Sequence, residues 1–183
     1  MQRRRFLQST AAFFPLCWLE RAGWAATAQA SAPQAHVVPA GQDRLGESHS
    51  MGFSRIAFKV LPRETAGGLF LIEHQHLQKA GPPLHLHYAQ EEYFYVMEGR
   101  VLFQVGEQRV ELQPGDSVLG PRAVPHTFLP LGEPPARMLI AFTPAGQMED
   151  FFREQEKSGK PLQDPAAFAR FGMQWLGPPL QVG

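Results

Sequence analysis

The sequence predicts an all-β domain, a sandwich or barrel of short strands, followed by a short helical extension. Three observations carry this reading. Glycine and proline each occur 17 times in 183 residues, a punctuation that suits many turns better than long helices. From Phe53 to Thr143, short extended stretches alternate with turn signals at the spacing of a sandwich or barrel. After Pro144 the apolar period changes from two to 3.6.

The elements follow in order. Residues 31–50 are polar and mixed, and read as an N-terminal arm. Phe53 to Val60 is strand-like and stops at Pro62. Gly68 to Leu77 is a second strand, broken by Ala80-Gly81-Pro82-Pro83. Glu92 to Met97 is aromatic-rich and closed by Glu98-Gly99. Arg100 to Val105 and Gln108 to Leu112 flank Gly106-Glu107, a two-residue hairpin signal. Pro114-Gly115-Asp116 is a turn before the short Ser117 to Leu119. His126 to Leu131 and Arg137 to Thr143 are two more strands around Gly132-Glu133-Pro134-Pro135. The barrel is thereby expected over residues 51–145 and a helical tail over 146–183. In the tail, Met148, Phe151, Phe152 and Gln155 share one helical face. Pro165 opens a second helix, with Asp164 as its N-cap. The spacing of Phe168, Phe171 and Trp175 carries it through about Trp175.

Residues 1–30 read as an export signal. Arg3-Arg4-Arg5-Phe6-Leu7 is basic, Ala11 to Leu19 is moderately apolar, and Ala28-Gln29-Ala30 offers small residues to a signal peptidase. The paired arginines before Phe-Leu resemble a twin-arginine signal, which implies a periplasmic or secreted protein. Its removal takes Arg3, Arg4, Arg5, Arg21 and Glu20, leaving a net charge of −3. It also takes Cys17, the only cysteine, which excludes an internal disulfide and thiolate chemistry from the remainder. The balanced charge of the full chain points to neither nucleic acid nor an anionic surface as partner. No run of 18 apolar residues offers a membrane span.

The chemistry lies in Gly81-Pro82-Pro83-Leu84-His85-Leu86-His87-Tyr88-Ala89-Gln90-Glu91-Glu92. Side chains two apart on a strand share a face, so His85 and His87 aim into one cavity with Leu86 turned away. A turn brings Glu92 back alongside on the next strand, and the same alternation sends Glu91 outward. Val124-Pro125-His126 begins a later strand and can supply a third imidazole. Three imidazoles and a carboxylate suit one divalent transition metal ion, such as iron, manganese, nickel, cobalt or zinc. Four protein ligands leave a position open for substrate or oxygen. His74-Gln75-His76 repeats the His-x-His spacing without a carboxylate or third ligand at a familiar spacing, and reads as a solvated strand face. Phe94, Phe103 and Phe128 read as core or pocket lining. Tyr93 and Tyr95 read as core or interface.

Gly81, His85, His87, Glu92 and Gly99 resemble the first motif of the cupins. Four residues separate His87 from Glu92, and six separate Glu92 from Gly99. Gly115, Pro121, Ala123 and His126 resemble the second motif, with Ala123 where glycine is usual. The resemblance covers roughly Phe53 to Thr143. It implies a jelly-roll-like barrel, a double-stranded β-helix, and a metal at His85, His87, Glu92 and His126. The tail, with Phe151-Phe152 and Phe171-Gly172-Met173-Gln174-Trp175, also looks like bacterial monocupins related to quercetin 2,3-dioxygenase. That likeness implies a metal-dependent dioxygenase acting with O2 on a flavonol-like, catechol-like or other small hydroxy or keto substrate. Glu92 would then be a ligand or a catalytic base. The alternatives are a non-catalytic cupin that binds a sugar or acid, and a metal-dependent isomerase or decarboxylase. The last would need a cation to hold an acid, for which Arg100, Arg122 and Arg137 are candidates. Pairing of cupins through strands and arms makes a homodimer an expectation too.

Overall fold

In chain order the strands are β1 (His49–Ser50), β2 (Ser54–Val60), β3 (Phe70–His76), β4 (Pro83–His87), β5 (Glu91–Glu98), β6 (Arg100–Val105), β7 (Gln108–Leu112), β8 (Ser117–Gly120), β9 (His126–Leu131) and β10 (Arg137–Thr143). Helices α1 (Met148–Ser158) and α2 (Pro165–Arg170) follow, then β11 (Met173–Pro179). The structure, a computed structural model, describes residues 35–133, 136–159, 162 and 164–181. The expected signal at 1–30 lies outside the described residues.

Period-two burial explains the strands. In β5, Glu92, Phe94 and Val96 are buried while Tyr93 and Tyr95 face out. In β10, Met138, Ile140 and Phe142 are buried on the same principle. Two antiparallel sheets result, one ordered β1-β2-β3-β10-β5-β8 and the other β11-β4-β9-β6-β7. Their inner faces close on a core that includes Phe58, Phe70, Phe94, Phe103, Val101 and Met138. Burying a large apolar side chain contributes about 1.5–3 kcal/mol, so this aromatic layer is the main stabilising element of the barrel. The result is the expected jelly-roll barrel with a short helical part.

The helices behave as their sequences predict up to a point. Met148, Phe151, Phe152 and Gln155 are the buried residues of α1. Asp164 caps α2 by accepting from the amides of Ala166, at 2.9 Å, and Ala167, at 3.4 Å. The end of α2 differs from expectation. It stops at Arg170, and the residues expected to be helical through about Trp175 turn at Gly172, with φ of 73°, into strand β11. The tail from 146 to 183 is thus helical only in part, and its last strand joins the barrel. The reason is visible in the pairing. Met173 lies opposite His87 and Trp175 opposite His85, so β11 satisfies the open edge of β4. Pro178 and Pro179 lack the amide a helix requires, and are accommodated because β11 is an edge strand.

Two positions set the approach to the ligand-bearing strands. At Gly81 a Cβ would lie 1.8 Å from the Phe128 carbonyl oxygen, so β9 can pass there only over glycine. In the loop before β9, Ala123 has φ of 60°, a left-handed conformation, and its amide donates to the His87 carbonyl at 2.7 Å. An L-residue held there costs about 1–2 kcal/mol. Gly81→Ala should therefore destabilise the fold by about 3 kcal/mol, measured by chemical denaturation, whereas Gly177→Ala, whose new Cβ meets only Leu84 at 4.0 Å, should be nearly neutral. Ala123→Gly should have the opposite sign and stabilise by up to about 1 kcal/mol. A lower midpoint in that variant would show that the loop is not strained.

Candidate metal centre

Adjacent strands and one sharp turn bring four distant residues together. His85 and His87 both point inward from β4, as their spacing requires. His126 opens β9 directly opposite His85, their one paired position between these strands. Glu92 enters from the other sheet at the start of β5, after the turn at 88–90, where it pairs with Gly120 and Phe142. One ligand atom from each of His85, His87, Glu92 and His126 lies within 4.8 Å of the others, and all four residues are buried. Glu91, the competing carboxylate, faces outward and pairs with Arg122 at 2.5 and 2.6 Å.

Each imidazole is oriented by a partner behind it. His85 Nδ1 donates to the Pro83 carbonyl at 2.8 Å, and His126 Nδ1 to the Val124 carbonyl at 2.9 Å. His87 Nδ1 faces Gln90 Oε1 at 3.3 Å, while the Gln90 amide donates to the Ala145 carbonyl at 3.0 Å. With protons held at Nδ1, every Nε2 faces inward, where its lone pair can serve a metal. Those three Nε2 atoms lie 3.9 Å (His85), 3.1 Å (His87) and 2.9 Å (His126) from the same Glu92 Oε2. Neighbouring ligand atoms on bonds of about 2.1 Å at right angles stand about 3.0 Å apart. His87 Nε2 is fully buried and makes no hydrogen bond of good geometry. An orphaned lone pair beside a carboxylate is a place for a cation, so the residues present fit a divalent ion.

The electrostatics agree. Burial pushes the Glu92 carboxyl up, but His126 and His87 outweigh it and hold it well below the usual carboxylate range. Burial, then the neighbouring His126 and His87, hold His85 down to about 3. Burial lowers His126 too, yet the bond and charge of Glu92 leave it raised. The His126 Nε2–Glu92 Oε2 hydrogen bond, at 2.9 Å, spans the place a metal would take, and metal binding must displace its proton.

A cavity opens on the cluster. Its walls include Phe128, Phe142, Met148, Phe151, Phe152 and Phe168. The ring of Phe168 stands 5.6 Å from that of His85, and Phe142 5.8 Å from His87. Phe128 thus lines the pocket, whereas Phe94 and Phe103 are core and Tyr93 and Tyr95 are partly exposed. Among the described residues no lysine or arginine lines this cavity. Arg100 pairs with Glu111, Arg122 with Glu91, and Arg137 with Glu73 and Glu98, all toward the surface.

One reading of the sequence is corrected. His74 and His76 are not on a solvated face but buried, with 5% and 0% exposure, and His74 lines the cavity. The signal was present in the alternation Phe70, Ile72, His74, His76, which puts both histidines on the face of two core residues.

Comparison with known proteins agrees with the geometry. Residues 73–142, which hold all four cluster residues, match the cupin domain family. An uncharacterized protein of Methanocaldococcus jannaschii is 34% identical over 67 residues, 37% of this chain and 54% of that protein. The chain thus spans about half the length of this curated relative. An RmlC-like cupin from Shewanella frigidimarina superposes with a TM-score of 0.53 at 22% identity, covering 64% of this chain and 96% of that one. KdgF from a Halomonas species gives a TM-score of 0.48 at 18% identity, covering 54% and 86%. The matched strands carry the whole cluster, and the barrel has the fold of a cupin over nearly all of that protein's length.

Proposed function

We propose that the chain is a metal-dependent dioxygenase acting on a small aromatic molecule with adjacent hydroxyl or keto oxygens. The observation that carries this is a three-histidine, one-carboxylate cluster at the floor of an aromatic-walled cavity. An ion held by His85, His87, Glu92 and His126 would supply Lewis acidity and a site where oxygen and substrate oxygens meet. The phenylalanine and methionine walls favour an aromatic body and exclude water, which strengthens electrostatic interactions at the floor. Glu92, held ionised far below neutral pH, is suited to a ligand and is a weak proton acceptor. A carboxylate substrate finds no cation among the described lining residues, which disfavours the isomerase or decarboxylase of a small acid. We also propose that residues 1–30 export the protein by the twin-arginine route to the periplasm or beyond.

Natively purified protein should carry about one divalent transition metal ion per chain, and the His126→Ala variant at least about tenfold less. Elemental analysis reads both; equal content would remove His126 from the site. The fully loaded protein should consume oxygen with at least one flavonol or catechol. Full metal without uptake across such a panel would leave a cupin that binds without turnover. Replacing Arg3 and Arg4 with lysine should trap the precursor in the cytoplasm, and unchanged export by cell fractionation would exclude that route.

A further inference from the structure

A second pair of histidines, which the metal cluster does not use, reaches the cavity through His74. His74 Nδ1 and His76 Nε2 lie 2.9 Å apart with both rings buried, at 4.3 Å between centroids. The rings stand edge-on to Phe128, at 6.0 Å for His74 and 5.4 Å for His76. Two polar rings in such a wall are costly unless each nitrogen has a role.

The protons can be assigned from the far end. The Ala80 backbone favours a proton on the His76 ring, and Nδ1, the nitrogen that does not face His74, makes no hydrogen bond of good geometry and is free to carry it. With that proton on Nδ1, His76 Nε2 is an acceptor and His74 Nδ1 donates to it. His74 Nε2 is then left with a lone pair on a residue that lines the cavity, and the hydrogen bond His74 makes to a described residue runs through Nδ1. Burial holds His74 down to about 4 against the opposing pull of Glu92, so the ring is neutral at neutral pH. Outside the metal cluster, His74 and Gln155 are the polar side chains among the described lining residues, and Gln155 Oε1 already accepts from the Leu162 amide at 3.1 Å.

We propose that His74 Nε2 is a hydroxyl-binding subsite of this cavity, accepting a hydrogen bond from an O–H group on an aromatic ligand, with His76 as the positioning residue that sets its tautomer. This rests on the reading of the cavity as an aromatic substrate site, and adds that the substrate carries a free hydroxyl on the β3 side. A methyl ether at the same position has no proton to donate and leaves His74 unpaired.

The test uses protein with its native metal, two probes and no turnover. Dissociation constants are measured for 4-nitrocatechol and for its dimethyl ether, in wild type, His74→Phe, His74→Gln and His76→Leu, with metal content and melting temperature determined for each. His74→Phe should reduce the preference for the catechol about tenfold, through weaker catechol binding, with ether binding and metal content unchanged. His74→Gln, whose side-chain oxygen can accept, should keep most of the preference, and His76→Leu should lose an intermediate share. His74→Leu is a second acceptor-free variant should Phe not be accommodated. An unchanged preference in the acceptor-free variants, or none in wild type, overturns the subsite. Oxygen uptake is scored separately: no uptake with a His74-dependent preference defeats the dioxygenase and keeps the subsite, while uptake with an unchanged preference does the reverse.

Discussion

A carboxylate taken out of water costs several kcal/mol unless positive charge or donors meet it, and Glu92 is buried at the floor of a barrel built from phenylalanine. The structure around it is arranged to meet that cost. Three imidazoles turn their Nε2 atoms toward one of its oxygens, and backbone carbonyls or Gln90 hold them from behind. Removing any one ring leaves the charge less compensated, so the four residues work as a unit. The same low-dielectric surroundings that make the carboxylate costly make any cation bound there effective.

The two sheets supply the precision this requires. His85 and His126 are placed across one strand pair, and Glu92 arrives from the opposite sheet through the turn after β4. Gly81 allows β9 to approach closely, and Ala123 holds the loop before His126 against the His87 carbonyl. The tail then closes the arrangement from outside. Strand β11 covers the edge of β4, while Phe151, Phe152 and Phe168 bring the helices over the cavity. Without these helices the aromatic walls of the cavity would be incomplete.

At the other end of the barrel wall, ion pairs organise the surface. Glu73 is buried on β3 yet lies between Lys59, at 2.9 Å, and Arg137, at 2.7 Å. Burial raises its carboxyl, but these two cations and the Gly41 amide bring it below its ordinary value. His49 joins the arm to α1 through Glu156 at 2.7 Å and stacks on Phe58 at 4.1 Å. Cations that could serve an acidic substrate are thus committed to structure, and the cavity stays apolar apart from its metal cluster, His74 and Gln155.

The sequence by itself determined strands β2 to β10, the buried face of α1, the cap of α2 and the four cluster residues. Each of those is a local matter: alternation sends His85 and His87 to one face, Glu91 and Glu92 to opposite faces, and Asp164 caps the helix beginning at Pro165 through neighbouring amides. Tertiary structure decided what depends on a neighbour. A helical spacing of Phe168, Phe171 and Trp175 yielded to the open edge of β4, because backbone groups there had to be paired. The polar look of His74-Gln75-His76 yielded to its position between Ile72 and the cavity, where a hydrogen bond between the rings makes burial tolerable. Metal-ligand spacing is written along the chain, but the character of the space above it, and hence the kind of molecule it admits, exists only when distant phenylalanines meet.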